Sequence, residues 1–465
     1  MTQFDLALRG GRTMLPGVGL TRADIYVTDG AIAAIATADS RMEAIESVDV
    51  TGRWILPGVI DAHVHLGQDI SAPKNAADAE KESASAAAGG VTTMLAYLMS
   101  PKPYGDVFPD AKETMLAHSH TNFGFHFCVV TPEQVEAISS YAEDLGVSSF
   151  KVFTNFRGDE GAYLGLPGND DAFLFDALQA AADSGTMIAQ HAENIELVWR
   201  LRQKTTQSPD AGLPAWNDIR PTYVEAEAEG RVGYLASVTG ASAYAVHVTS
   251  AESLAAIQRQ QAAYGNLFIE TCPHYLTLNA ESPIGSRGKV NPPLRTSSDN
   301  EALWEAIREN QIDVLGSDHV PRHFSAKDKD IWSASAGFPG TGTLFPLFLS
   351  EAIRRGISLE TVVNMTSTRP AQIFGMGARK GRIELGFDAD LTIVDPTTPF
   401  EITAATQHSG AEYSVWEGWS SDVSIEHTIV KGRFALRNGE LTDTTGEYIP
   451  RRFSGRRALT ELAGR

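Results

Sequence analysis

Residues 54–65 read WILPGVIDAHVH, an apolar run that closes on two imidazoles, His63 and His65. Side chains at i and i+2 of a strand share a face, so both imidazoles can point inward together. Outward from this stretch the chain repeats its texture. Runs rich in β-branched or aromatic residues recur at 91–99, 123–130, 147–154, 186–191, 243–248, 267–272 and 313–316. Helix-length segments intervene, and those at 78–88, 133–145, 171–184, 252–264 and 300–309 carry apolar positions at helical spacing. Eight such alternations predict an α/β fold, a (β/α)8 TIM barrel over residues 55–375.

On the other side of residue 54 the texture is different. FDLALRGG, ADIYVTDG, AIAAIATA and SVDVTG are short β-like runs broken by Gly and Asp turns, with no amphipathic helix between them. The same texture returns in GRIELGFDADLTIVDP and SIEHTIVKGRFALRNGE. The two chain ends are therefore expected to build one β-sandwich beside the barrel, from residues 1–54 and 376–447. A basic tail at 448–465, with Arg451, Arg452, Arg456 and Arg457, is expected to be solvated or to contact another subunit. The irregular stretches 157–169 and 322–342 leave the same end of the barrel, and loops that long tend to be lids or pocket walls.

Composition narrows the function. The 465 residues carry 38 Lys and Arg against 58 Asp and Glu, a formal charge of −20 that would repel a polyphosphate backbone, so no nucleic-acid partner is expected. Cys128 and Cys272 are too few for a disulfide framework, and Asp5 stands where a signal peptide needs an apolar run. No stretch approaches the roughly 18 apolar residues of a membrane span. The expectation is a soluble cytoplasmic protein that does not engage membranes.

Chemistry-bearing side chains fall at the carboxyl ends of the expected strands, the face where such barrels collect catalytic groups. His63 and His65 end the first, Lys151 lies in SFKVF on the fourth, His191 ends the fifth, His247 ends the sixth and Asp318 follows the eighth. Singly, each has a plainer explanation: a hydrogen-bonded core histidine, a solvated rim lysine, a turn or cap aspartate. Jointly they do not, because independent core residues have no reason to gather at one mouth. Four imidazoles and a carboxylate suit a first-row divalent ion such as Zn²⁺, whereas Mg²⁺ and Ca²⁺ prefer oxygen shells. Lys151 is the exception, since an ammonium has no lone pair to give a metal.

PGVIDAHVH, FKVF, QHAEN, VHVTSAE, ETCPHYL, NPPLR and LGSDHVP occur in the order seen in the cyclic amidohydrolases, and the chain resembles that family of hydantoinases, dihydropyrimidinases, allantoinases and dihydroorotases from its amino-terminal β segment to about Pro396. The resemblance implies two divalent metal ions per chain, zinc by default, and a Lys151 carboxylated by CO₂ so that it bridges them. His63, His65 and Asp318 would hold the first ion, His191 and His247 the second. Asp318 would act as general base and then acid as a bridging hydroxide opens the C–N bond of a small cyclic amide or ureide. A homo-oligomer, dimer or tetramer, is also implied.

Local departures bear on the substrate. HVHLGQD lacks the Arg that dihydroorotase-like enzymes place soon after the second histidine. Phe156 stands five residues after Lys151, where hydantoinases and dihydropyrimidinases usually carry an oxyanion-supporting Tyr; either the metals alone suffice, or another group such as Asn155 or Tyr163 substitutes, or the substrate differs from a hydantoin. ETCPHYL, with His274, is closer to allantoinases, while FKVF, KVNPPLR and AGFPGTG lean to hydantoinases. Asn291 replaces a more usual Ser at a substrate contact. Tyr104, Phe156, Tyr163 and Phe338 are expected to wall the pocket. His274, His319 and His323 are expected to be structural or to act indirectly, as groups that orient ligands, and Cys272 as packing. A hydantoin- or dihydropyrimidine-like ring is the leading expectation and allantoin the alternative. A one-metal deaminase has no use for Lys151, and a non-catalytic scaffold no reason to keep all six ligands.

Overall fold

The computed structural model describes residues 3–37, 40, 42–67, 76–158 and 168–453. Eight parallel strands form one sheet: β1 (Val59–Val64), β2 (Val91–Met99), β3 (Asn122–Cys128), β4 (Ser149–Phe153), β5 (Met187–His191), β6 (Ser242–Ala245), β7 (Leu267–Thr271) and β8 (Val314–Leu315), paired in chain order. A parallel bridge between Val64 and His319, with the His65 amide donating to the His319 carbonyl at 2.7 Å, closes the sheet into a barrel. Helices α1 (Ala76–Ala88), α2 (Tyr104–His118), α3 (Ile138–Leu145), α4 (Asp171–Ser184), α5 (Thr222–Thr239), α6 (Ala251–Ala263), α7 (Ser297–Arg308) and α8 (Thr341–Arg354) follow the strands one by one. Their ends are written locally. Asp170 and Ser250 cap α4 and α6 by accepting from backbone amides, Thr296 and Asp299 form a capping box on α7, and Gly185 ends α4 in the left-handed region.

The expected first strand is two strands. Trp54–Pro57 pairs with Arg12–Leu15 and Leu391–Asp395 in the seven-stranded sandwich sheet, and the barrel begins only at Val59. Gly58 makes the transfer possible, because a Cβ there would lie 2.2 Å from Thr92 Oγ1. The second sandwich sheet has four strands, Ala31–Ala36, Asp24–Thr28, Phe4–Arg9 and Ala44–Asp49 in that order. Leu6, Leu8, Ile25, Ile55, Leu391, Ile393 and Ile429 fill the space between the sheets.

The start of the carboxyl-terminal tail departs from expectation. Instead of facing solvent, it runs along β3: the Phe123 amide donates to Glu447 O at 2.9 Å and the Ile449 amide to Phe123 O at 2.7 Å. Arg451 then enters the barrel floor, 2% exposed, donating to Ser149 Oγ at 3.2 Å and to Phe125 O. Residues 454–465, with Arg456 and Arg457, lie outside the described residues. Ser149 Oγ is also 2.5 Å from His126 Nδ1, and His126 stacks on Tyr97, so a polar column rises from Arg451 towards the mouth. Arg451→Ala would leave a cavity and an unpaired carbonyl in the floor. It is expected to cost about 3 kcal/mol of stability, read by denaturant unfolding.

Candidate metal centre and its cavity

β1, β4, β5 and β6 and the turn after β8 deliver His63, His65, Lys151, His191, His247 and Asp318 to one cavity, and all six are buried. Asp318 Oδ1 lies 3.1 Å from His63 Nε2 and 3.7 Å from His65 Nε2. Ligand atoms of this trio fall within 4.8 Å of one another. His191 Nδ1 and His247 Nε2 are 3.0 Å apart, and the His247 ring stacks on His63 at 5.4 Å, which links the two groups. Lys151 Nζ sits over the Tyr97 and Phe153 rings at 4.8 and 5.1 Å and has no hydrogen-bond partner among the described residues.

The backbone is bent to present these groups. His247 and Asp318 occupy the left-handed region at φ 44° and 46°. Non-glycine residues held there cost on the order of 1 kcal/mol or more and persist where their surroundings impose the conformation. Asp61 is one source of that constraint: Oδ1 accepts from the amides of His63 and Ser317 at 3.2 and 3.1 Å, and Oδ2 from Thr341 Oγ1 at 2.7 Å. Gly316 is another. A Cβ there would meet Glu270 Oε2 at 2.5 Å, so only glycine lets β8 approach β7 this closely.

Two carboxylates absent from the sequence reading orient the imidazoles. His63 Nδ1 donates to Glu270 Oε1 at 2.7 Å, and Glu270 also accepts from the His247 amide and from Tyr244 Oη. His191 Nε2 donates to Glu193 Oε2 at 2.9 Å, which Arg220 pairs at 2.7 Å. Each carboxylate fixes one ring nitrogen as donor and turns the other to the cavity. The only signals in the sequence are a Glu two residues past His191 and a Glu within the seventh strand.

Electrostatics favour a cation here. Burial works against charge on His63, but Glu270 and Asp318 outweigh it and raise its pKa to about 9. Burial also works against charge on Asp318, yet His63, then His247 and His65, hold its carboxyl well below the usual range. Burial, reinforced by His191 and Lys151, pushes His247 well below the usual imidazole value. Lys151 is lowered to about 8 by burial, against the pull of Glu270 and Asp318. A divalent ion that displaced the His63 Nε2 proton would meet three converging donors, and metal uptake with proton release is ordinary for such a set. The residues fit the expected ions: ring nitrogens for zinc, and a buried amine with no hydrogen-bond partner among the described residues where a bridging group is wanted.

The cavity is small, about 90 Å³, against roughly 300 Å³ and more for drug-sized pockets, so it suits a compact ring. A larger groove of about 750 Å³ between the short helix Pro132–Glu136 and α4 contains none of these groups. Phe153, Asn155, Phe156, Val290, Asn291, Val320, Arg322, Ala336 and Gly337 complete the wall. Phe156 and Asn291 are thus where the sequence placed them, and Asn291 Oδ1 accepts from Trp216 Nε1 at 3.1 Å. Tyr163 lies outside the described residues. Phe338 does not reach the cavity: its ring is 1% exposed, wedged between His274 and Trp416. Tyr104 is likewise drawn into the helical layer, stacked on Phe127 at 4.1 Å with its hydroxyl donated to Leu98 O. Apolar packing behind the wall claims both rings. Lys327 ties the wall together, its buried Nζ donating to the carbonyls of Lys289, Ser335 and Gly337 at 2.8 Å each.

Known proteins resemble this chain in sequence and fold. The model of the amidohydrolase family matches residues 54–435. A D-hydantoinase of Geobacillus stearothermophilus is 31% identical over 458 residues, covering 94% of this chain and 95% of the relative. An allantoinase of Rubrobacter xylanophilus is 32% identical over 467 residues, covering 98% and 100%. The solved D-hydantoinase of a Bacillus sp. AR9 superposes with a TM-score of 0.88 at 28% identity, over 96% of this chain and 99% of that one.

Proposed function

Because the chain belongs to the amidohydrolase family, we propose that it opens a C–N bond of a compact cyclic amide or ureide, hydantoin- or dihydropyrimidine-like, with two divalent cations, Zn²⁺ foremost. The observation that carries this reading is the gathering at one mouth of four imidazoles, Asp318 and a buried Lys151 with no hydrogen-bond partner among the described residues. His63, His65 and Asp318 would hold one ion and His191 and His247 the other. Lys151 would serve both after its free amine bonds the carbon of CO₂ and releases a proton, leaving an anionic carbamate. When bound, the ions supply Lewis acidity that acidifies water and polarises the amide carbonyl.

The chain's own residues do the rest. Asp318, ionised and beside His63 and His65, takes a proton from the attacking water and returns it to the leaving nitrogen. Phe153, Phe156 and Val290 hold the ring in a dry wall, and Asn291 and Arg322 offer polar contacts at its edge. Allantoin is the second reading, favoured by Phe156, whose ring stacks on Phe153 at 4.2 Å and has no hydroxyl to give. As in the resemblance, the working unit is a homodimer or homotetramer.

The purified protein is expected to hold close to two metal ions per chain by elemental analysis. Chelation is expected to abolish turnover, and re-addition of Zn²⁺ to restore it. A turnover panel of dihydrouracil, aryl-hydantoins, allantoin, dihydroorotate and simple cyclic imides selects the substrate. Failure to open any of them would refute the reading.

A further inference from the structure

Attack on an amide carbon drives negative charge onto the carbonyl oxygen, and a donor aimed at that oxygen strengthens as the charge grows. Phe156 cannot be that donor. The residue before it can. Asn155 follows the end of β4 at Phe153, lines the same cavity as Lys151, His191, His247 and Asp318, and is 3% exposed. Its side-chain amide makes no hydrogen bond to any described residue, and its Oδ1 is sealed from solvent without a partner.

Buried amides are normally satisfied, and leaving one unpaired costs about 1–3 kcal/mol. The neighbouring amides each make at least one hydrogen bond, although Gln190 Oε1 is, like Asn155 Oδ1, buried without a hydrogen-bond partner among the described residues. Asn291 is engaged by Trp216, and Asn169 Nδ2 donates to Phe153 O at 3.0 Å, which supports the turn that carries residue 155. Gln190, on β5, donates to Glu229 at 3.0 Å. Of the two cavity-lining amides, Asn155 is the one whose side chain no described residue engages, which leaves its Nδ2–H donor available to a bound molecule.

We propose that Asn155 is a catalytic residue whose Nδ2–H donates to the substrate carbonyl oxygen as it takes on charge, doing from position 155 what a phenol at position 156 would otherwise do. The inference rests on the ring-opening reading above. No covalent bond to the protein is involved: the donor keeps its proton and releases the oxygen when the ring opens.

The test is steady-state kinetics on whichever ring the wild-type enzyme opens, with metal content and melting temperature measured in parallel. Asn155→Ala is expected to lower kcat about 100-fold with KM changed only a few-fold, and with metal content and melting temperature unmoved. Asn155→Asp, which keeps the shape but loses the donor, is expected to fall at least as far, and it stands in if the alanine variant does not fold. The double variant Asn155→Ala/Phe156→Tyr is expected to recover about tenfold or more of the loss, which restored packing alone would not do. Wild-type turnover that Asn155→Ala leaves within about threefold overturns this inference alone. So does a kcat loss that tracks metal loss or melting. A wild-type enzyme that opens none of the rings overturns both this and the reading beneath it.

Discussion

Lys151→Ala is expected to lose bound metal and turnover together, with kcat down by roughly 10⁴-fold or more, because groups that act as one unit fail as one. The argument starts from a lysine that is hard to explain otherwise. Its amine is fully buried, lies over two aromatic rings and has no acceptor among the described residues. A structural ammonium would seek carbonyls, as Lys327 does with three of them. A free amine lowered to about 8 by burial is nucleophilic near neutral pH, which is the state CO₂ requires. Intact-mass measurement under native conditions should show the added mass of one CO₂, lost on acidification. If Lys151→Ala retains metal and turns over normally, the bridge is wrong and the two groups of ligands work independently.

Asp318→Asn is expected to keep much of its metal and to lose about 10³-fold in kcat, the usual scale for removing a positioned acid–base group. An amide can still donate an oxygen lone pair towards His63 and His65, but it cannot take up and return a proton. The split between metal content and rate is the diagnostic. Loss of both would make Asp318 a ligand first and a proton carrier second. Near-normal kcat would assign the proton transfer to another group.

The barrel was legible because its signal is local. A strand buried on both faces reads as an apolar run, and a helix laid on it reads as periodic spacing, so eight repetitions declare themselves without any knowledge of contacts. The mouth was legible for a related reason: strand ends are known once strands are, and His63, His65, Lys151, His191, His247 and Asp318 all sit there. The misreadings concern partners brought from elsewhere in the chain. Nothing beside Glu270 announces that it will meet His63, 207 positions away. Phe338, on a mouth-side loop, and Tyr104, at the start of α2, are rings near the mouth, and only the tertiary packing decides that they turn away from the ligand. Gly58 looks like a residue inside a strand until Thr92 is placed against it. The left-handed backbone of His247 and Asp318 has no sequence signature at all, since neither residue is the glycine that usually marks it.

Arg451 and the strip that precedes it carry a consequence for biosynthesis. A nascent chain on the ribosome can present every barrel strand and every proposed ligand and still lack the segment that covers Phe123 and reaches Phe125. Its floor is fitted last. Messages truncated before this point would yield products with all the chemistry and an open underside, the kind of species that cellular proteases remove first.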